Sequence, residues 1–237
     1  MEILKPKLGL LILSALLFVF NLSIWTIHGQ GSIPARIDGF VYKNHLPDYA
    51  DTIMIEAFFD PVCQDCRDAW PTLKQILEDY GPRLSLIVHP FALAYHDNAF
   101  VTSRALHIVN KLNASATYHL LEQFFEHQEN FYNQQTFAMS RASVVDHIVR
   151  FVNKTVGDDS LSAVESGFSD SRSDLATRIS FKYGCSRGVM GTPYFFVNGF
   201  PLPNAGSAVD YDGWRSIIDP LINMQGKSGD ETPHFFL

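Results

Sequence analysis

The stretch Thr52–Trp70, TIMIEAFFDPVCQDCRDAW, constrains the fold more than any other part of the chain. Thr52–Phe59 is β-branched and aromatic, with apolar residues on both faces, the pattern of a central strand covered on both sides. The run passes through Asp60-Pro61 into Cys63-Gln64-Asp65-Cys66. From Cys66 to Tyr80, Trp70, Leu73, Ile76 and Leu77 then recur at helical spacing. Two cysteines two residues apart, where a strand hands over to a helix, suit dithiol chemistry. The first thiol meets unpaired N–H groups and the positive end of the helix dipole, and both favour a thiolate. Glu56 is the exception on the strand and must find a partner, the sheet edge or solvent. Pro71 inside the helical pattern predicts a kink, and Gly81-Pro82 ends the helix.

Leu84–Val88 is a second fully apolar strand, reached by a right-handed crossover and so parallel to the first. Their C-terminal ends then open on one sheet edge, where open α/β sheets form sites. A shorter edge strand falls within Ile37–Tyr42. Helical patterns follow at Asn98–Lys111, Thr117–Asn130, Ser140–Asn153, Ser160–Phe168 and Ser173–Tyr183. Strand character returns at Tyr194–Val197, and Asn198-Gly199 before Phe200-Pro201-Leu202 signals a hairpin. Asp210 caps a final helix, Tyr211–Asn223, bent at Pro220. The expected organisation is a leader at 1–29, a first strand-bearing part at 32–97, a helical insertion at 98–183, a second strand-bearing part at 184–226 and a flexible tail at 227–237.

Lys5 and Lys7 precede the apolar run Leu8–Phe20, and small or polar residues follow around His28–Ser32, the order of a secretory signal peptide. An uncleaved membrane anchor is the alternative, because Leu8–Ile27 nearly spans a bilayer. Either way the body of the chain faces an oxidising compartment, the ER lumen or the cell exterior. A net charge of −7 without a basic block argues against a nucleic-acid partner. Three cysteines are too few for a disulfide scaffold, and no second C-x-x-C or C-x-x-H completes a metal cluster. No metal, flavin or nucleotide motif is present, so the cysteine pair itself is the expected redox centre. Asn113-Ala114-Ser115 and Asn153-Lys154-Thr155 are glycosylation sequons.

Strand, C-x-x-C, kinked helix, strand, helical block, Gly191-Thr192-Pro193, hairpin and final helix follow in that order. This order resembles the thioredoxin-like superfamily and, within it, the DsbA-like thiol–disulfide oxidoreductases. Cys63 and Cys66 after Phe58-Phe59, Pro71 five residues beyond, Gly191-Thr192-Pro193 and the hairpin Tyr194–Leu202 carry the resemblance, which covers Thr52–Asn223. It implies an α/β fold with an inserted helical domain, Cys63 as the attacking thiol and Cys66 as the resolving one. It also implies a cis Thr192–Pro193 bond beside the dithiol, leaving the Thr192 backbone to pair with a substrate strand. A hydroxyl before the proline recurs among disulfide isomerases. Implied partners are unfolded or cysteine-containing proteins, with a redox protein or glutathione exchanging electrons. Cys185 is expected to be a packed thiol beside the proline loop, with a regulatory or intermolecular partner as the alternative.

Two departures modify the expectation. Six residues before Cys63, where relatives keep a buried acid, stands Ala57; Glu56, one position off, points to the opposite face. His89 or His96, after the second strand, is a candidate to stabilise the Cys63 thiolate or to move protons in place of that acid. Between the cysteines, Gln64-Asp65 replaces the basic or aromatic pair of strong oxidants. Asp65 should hold the Cys63 pKa nearer ~7 than ~3.5, which makes the disulfide only moderately oxidising. Arg67 offsets Asp65 if it turns back to the site. Two other functions fit the same residues: a binding or chaperone module with a vestigial dithiol, and a glutathione-using transferase or isomerase.

Overall fold

The computed structural model describes residues 34, 37–44, 52–157, 160–203 and 206–228. The chain divides into two units, Met1–Ile37 and Asp38–Leu237. Of the first only Pro34 and Ile37 are described, and the expected leader at 1–29 lies outside the described residues. Among the described residues no helix is long and apolar enough to cross a membrane.

In chain order the second unit contains β1 (Phe40–Val41), β2 (Ile53–Phe59), α1 (Gln64–Tyr80), β3 (Leu84–Pro90) and α2 (Ala99–Leu112). There follow α3 (Thr117–Glu126), α4 (Asn133–Thr136), α5 (Arg141–Val156), α6 (Leu161–Ser169) and α7 (Ser171–Ser186). The chain then forms β4 (Tyr194–Val197), β5 (Phe200–Pro201) and α8 (Tyr211–Ser228). The strands make one sheet in the order β1-β3-β2-β4-β5. β2 and β3 run parallel, from Ile53 beside Leu84 to Phe59 beside Pro90, and the other pairings are antiparallel. This is a thioredoxin-like arrangement in which six helices, α2 to α7, come between β3 and β4.

The apolar character of β2 follows from its position at the sheet centre. Ile55, Ala57 and Phe59 share one face, where Phe59 meets Trp70 of α1 and Phe195, and Phe195 meets Trp214 of α8 (ring centroids 6.2, 5.8 and 5.2 Å). On the other face Phe58 stacks on His89 at 4.6 Å and on Tyr183 of α7 at 6.0 Å. α7 lies so close to the sheet at Gly184 that a Cβ there would overlap the Phe91 ring. The β4–β5 turn has positive φ at both Asn198 (49°) and Gly199 (82°), the backbone of a type I′ hairpin.

The face under α7 also buries charge. Glu56 accepts from Tyr183 Oη at 2.9 Å and from Arg187 at 3.1 Å, and its Oε1 lies 3.4 Å from His89 Nε2. His89 Nδ1 is 3.0 Å from Asp38, and Ser180 donates to the same carboxylate at 2.6 Å. Two carboxylates face one guanidinium and the His89 ring, and the set is neutral when that ring is protonated. Burial opposes the charged form of both His89 and Glu56, yet the partners prevail. His89 is raised by Asp38 and Glu56, and Glu56 is lowered by its bonds to His89 and Tyr183 and by the Arg187 charge.

Several expectations need correction. α1 begins at Gln64 rather than Cys66, with Cys63 as its N-cap. α8 reaches Ser228, past its expected end at Asn223; the remaining tail, 229–237, lies outside the described residues. The expected Thr117–Asn130 helix ends at Glu126, and its last residues enter the 3₁₀ turn Gln128–Phe131 instead. Cys185 is exposed, not packed, because it falls on the outer side of α7.

The buried charge cluster sets a stability window. His89 contributes fully below about pH 6.5, its unfolded value, and progressively less as pH rises through its raised folded value. Glu56 contributes fully above about 4.5 and is lost as pH falls through its lowered value. Replacing Glu56 by Gln leaves buried cations unmatched and should cost about 3 kcal/mol. In urea melts across pH, the wild-type advantage over Glu56→Gln should be largest between these two values.

Candidate active site

The end of β2 and the start of α1 place the dithiol. Cys63 caps the helix with extended backbone (φ −86°, ψ 124°), its N–H bonds Asp60 O at 3.1 Å, and its carbonyl accepts from Arg67 N at 3.2 Å. Both cysteines are free thiols, Cys63 at 4% exposure and Cys66 fully buried behind it. The Thr192–Pro193 bond is cis, and its loop closes on the dithiol: Cys63 Sγ lies 3.5 Å from the Thr192 carbonyl, to which it donates. The Thr192 hydroxyl, by contrast, is buried with no hydrogen-bond partner of its own, and so is free to turn toward a Cys63 thiolate. The dithiol, Cys63 and Cys66, and the sequence-distant Thr192-Pro193 are therefore brought together.

The two thiols differ sharply in acidity. Cys63 is held at about 6, first by a hydrogen bond from the Cys66 thiol, against burial, and further by the Thr192 hydroxyl and the Cys66 backbone. Cys66 is pushed well above the ordinary thiol range by burial and by the neighbouring Cys63. The pair thus holds one thiol beside the cleft that ionises readily and one buried thiol that stays protonated. The carboxylate that opposes the Cys63 thiolate most is Asp60. Asp65 and Gln64 are exposed on the wall of the cleft beside Cys63.

That cleft has a volume of about 430 Å3 and is lined by Cys63, Tyr95, His96, Tyr132, Asn133 and Thr192 among others. His96 is therefore at the site. His89 is not: it lies within β3, where strand alternation aims it at α7, and Asp38 and Glu56 occupy it. Nor does Arg67 turn back toward Asp65. It pairs with Asp68 at 2.9 Å and lines a separate cleft with Trp70 and Lys74.

Three residues that the sequence did not single out complete the site. Gln128 is fully buried and donates to the carbonyls of Pro61 (3.0 Å) and Cys63 (2.8 Å), while Tyr132 Oη donates to its Oε1 at 2.8 Å. The helical segment thereby grips the turn that carries the dithiol. Asp60, also fully buried, accepts from Val62 N and Leu93 N, and its own N–H donates to Cys66 Sγ at 3.4 Å. Only the Asp-Pro turn signal next to the cysteines pointed toward Asp60. Among the described residues no group of three or more His, Cys, Asp or Glu is placed to hold a metal ion.

Comparison with known proteins agrees with this geometry. The family model described as Thioredoxin matches residues 50–220. Among solved structures, alpha-DsbA1 of Wolbachia pipientis superposes with a TM-score of 0.61 at 14% identity, covering 83% of this chain and 96% of that one. The thiol-disulfide exchange protein alpha-DsbA2 of the same organism gives 0.58 at 16%, covering 77% and 87%. MdbA, a thiol-disulfide oxidoreductase of Actinomyces oris, gives 0.57 at 17%, covering 81% and 91%. No curated protein matches the sequence.

Titration of the Cys63 thiolate by its ultraviolet absorbance should show a midpoint at about 6. In Cys66→Ala, which removes the leading hydrogen bond, the midpoint should climb toward the ordinary thiol value of ~8.5.

Proposed function

Because the chain belongs to the thioredoxin family and has a DsbA-like fold, we propose that it is a thiol–disulfide oxidoreductase acting on protein substrates in the secretory pathway. The single observation that carries this reading is the unequal pair of thiols behind a cis-proline loop: Cys63 acidic and facing a cleft, Cys66 buried and far less acidic. Cys63 forms the mixed disulfide with substrate, and Cys66 displaces it. The cleft beside Thr192 receives an extended segment of a cysteine-containing chain, with the Thr192-Pro193 backbone as its edge. The cysteine pair is the whole redox centre, and a redox protein or glutathione resets it.

A Cys63 thiolate held at about 6 is stabilised more than that of thioredoxin (pKa ~7) and less than that of DsbA (~3.5). The potential should accordingly fall between about −270 and −120 mV. Glutathione equilibration that returns a value at the upper end would overturn this moderate potential. Of the two sequons, Asn113 is the exposed one, at the end of α2, whereas Asn153 is half-buried in the last turn of α5 and accepts from Ser160 Oγ at 3.2 Å. Asn113 is therefore the better acceptor for a glycan.

Insulin reduction and the refolding of scrambled ribonuclease test the activity. Cys63→Ser should abolish both, and Cys66→Ser should trap the substrate as a mixed disulfide. Activity unchanged in Cys63→Ser would refute the mechanism. Suppression of aggregation that survives loss of both cysteines, without any exchange activity in the wild type, would favour the binding module instead.

A further inference from the structure

Asp60 and His96 form a hydrogen-bonded pair beside the dithiol. The Asp60 carboxylate lies in the interior, with Oδ1 accepting from Val62 N at 2.9 Å and Oδ2 accepting from Leu93 N at 3.1 Å. His96 Nδ1 also approaches Oδ2 at 2.9 Å, and the imidazole keeps a quarter of its surface exposed, on the cleft beside Cys63. The arrangement fixes the ring. With Nδ1–H given to a carboxylate, Nε2 is the nitrogen left to exchange a proton, a lone pair when the ring is neutral and an N–H when it is charged.

We propose that His96, oriented by Asp60, passes protons to and from the substrate sulfur at Cys63. This rests on the thiol–disulfide reading above and adds a substrate-side acid to it. Cys66 is buried behind Cys63, so a substrate disulfide reaches the Cys63 sulfur from the cleft that His96 lines. The Cys63 thiolate attacks one substrate sulfur, a Cys63–substrate S–S bond forms, and the substrate S–S bond breaks. The second substrate sulfur leaves with the electron pair and takes the Nε2 proton of the imidazolium, which becomes neutral. In reverse, neutral His96 removes the proton from an attacking substrate thiol. The proton and electrons balance without a further reactant.

Two features suit this role. Asp60 alone would disfavour a thiolate, and a protonated His96 cancels that charge while remaining able to release a proton. The Asp60 bond also raises the His96 pKa, against partial burial, so the acid form persists at pH values where Cys63 is already ionised. His96 is thus a catalytic residue, and Asp60 a positioning residue that acts through it.

The test compares two small disulfides on the full-length protein with Cys66→Ser and, at the exposed third cysteine, Cys185→Ala, so that a single thiol reacts. Oxidised glutathione releases a basic thiolate that needs a proton; dipyridyl disulfide releases an acidic one that does not. For His96→Gln the glutathione rate should fall by about 100-fold, the lower end of general acid–base contributions, and the dipyridyl rate should change less than about threefold. The unmutated histidine should give a bell-shaped pH profile with oxidised glutathione, and no descending limb should be seen with dipyridyl disulfide. Asp60→Asn should move the descending limb to lower pH. Equal losses with both disulfides, no loss with either, or a glutathione profile without a descending limb would overturn the acid role. If Cys63 of the parent reacts with neither disulfide, the oxidoreductase reading fails instead. The profile of the parent decides the matter even if a variant does not fold.

Discussion

The structure depends on one strand being covered on both faces. β2 is the centre of the sheet, and a strand with Ile55, Ala57 and Phe59 on one side and Phe58 on the other is stable only if both layers are supplied. α1 and α8 supply one and α7 the other, which requires chain from before and after the helical segment to meet on the same strand. Glu56 is the price of that burial, and the structure meets it with Arg187 and with the His89 ring that it shares with Asp38. The open C-terminal end of β2 is where the cover stops, and there the chain turns through Asp60-Pro61 into the dithiol.

The site follows from this ending. Placing Cys63 at the N-cap gives its sulfur nearby donors, and placing Cys66 one turn inside removes the second sulfur from water. The same backbone geometry therefore makes one thiol acidic and the other inert. Asp60 sits at the junction and serves both layers. Its backbone reaches Cys66, its carboxylate gathers the loop after β3, and through that loop His96 arrives beside Cys63.

Much of this was legible in the sequence because it is local. Continuous apolar runs marked β2 and β3, Asn198-Gly199 marked the hairpin, and the 3.6-residue spacing marked the long helices to within a few residues. Cys63 gave no helix start because its side chain makes no capping bond, so the periodicity alone placed the start too late. What was not legible depends on partners far along the chain. Gln128 bonds residues 65 and 67 positions away, and Asp60 meets His96 across 36. His89 and His96 look equivalent in sequence, since both lie near the end of an apolar run. The extension of β3 through Pro90 puts His89 on the sheet's other face, and only the loop histidine reaches the cleft. Arg67 and Cys185 went astray for a similar reason: a neighbouring acid captured the first, and the outward side of α7 exposed the second.

Gln128 ties the cleft wall to the redox turn. Its amide holds the Pro61 and Cys63 carbonyls, and Tyr132, itself a wall residue, holds its carbonyl. Closing or opening the Cys63–Cys66 bond and filling the cleft thus act on one shared set of hydrogen bonds. Reciprocity then applies: whatever preference a docked chain has for the disulfide over the dithiol form, the same free energy displaces the reduction potential while it is docked. A chain that binds the disulfide form more tightly than the dithiol lowers the potential of the pair for as long as it stays bound.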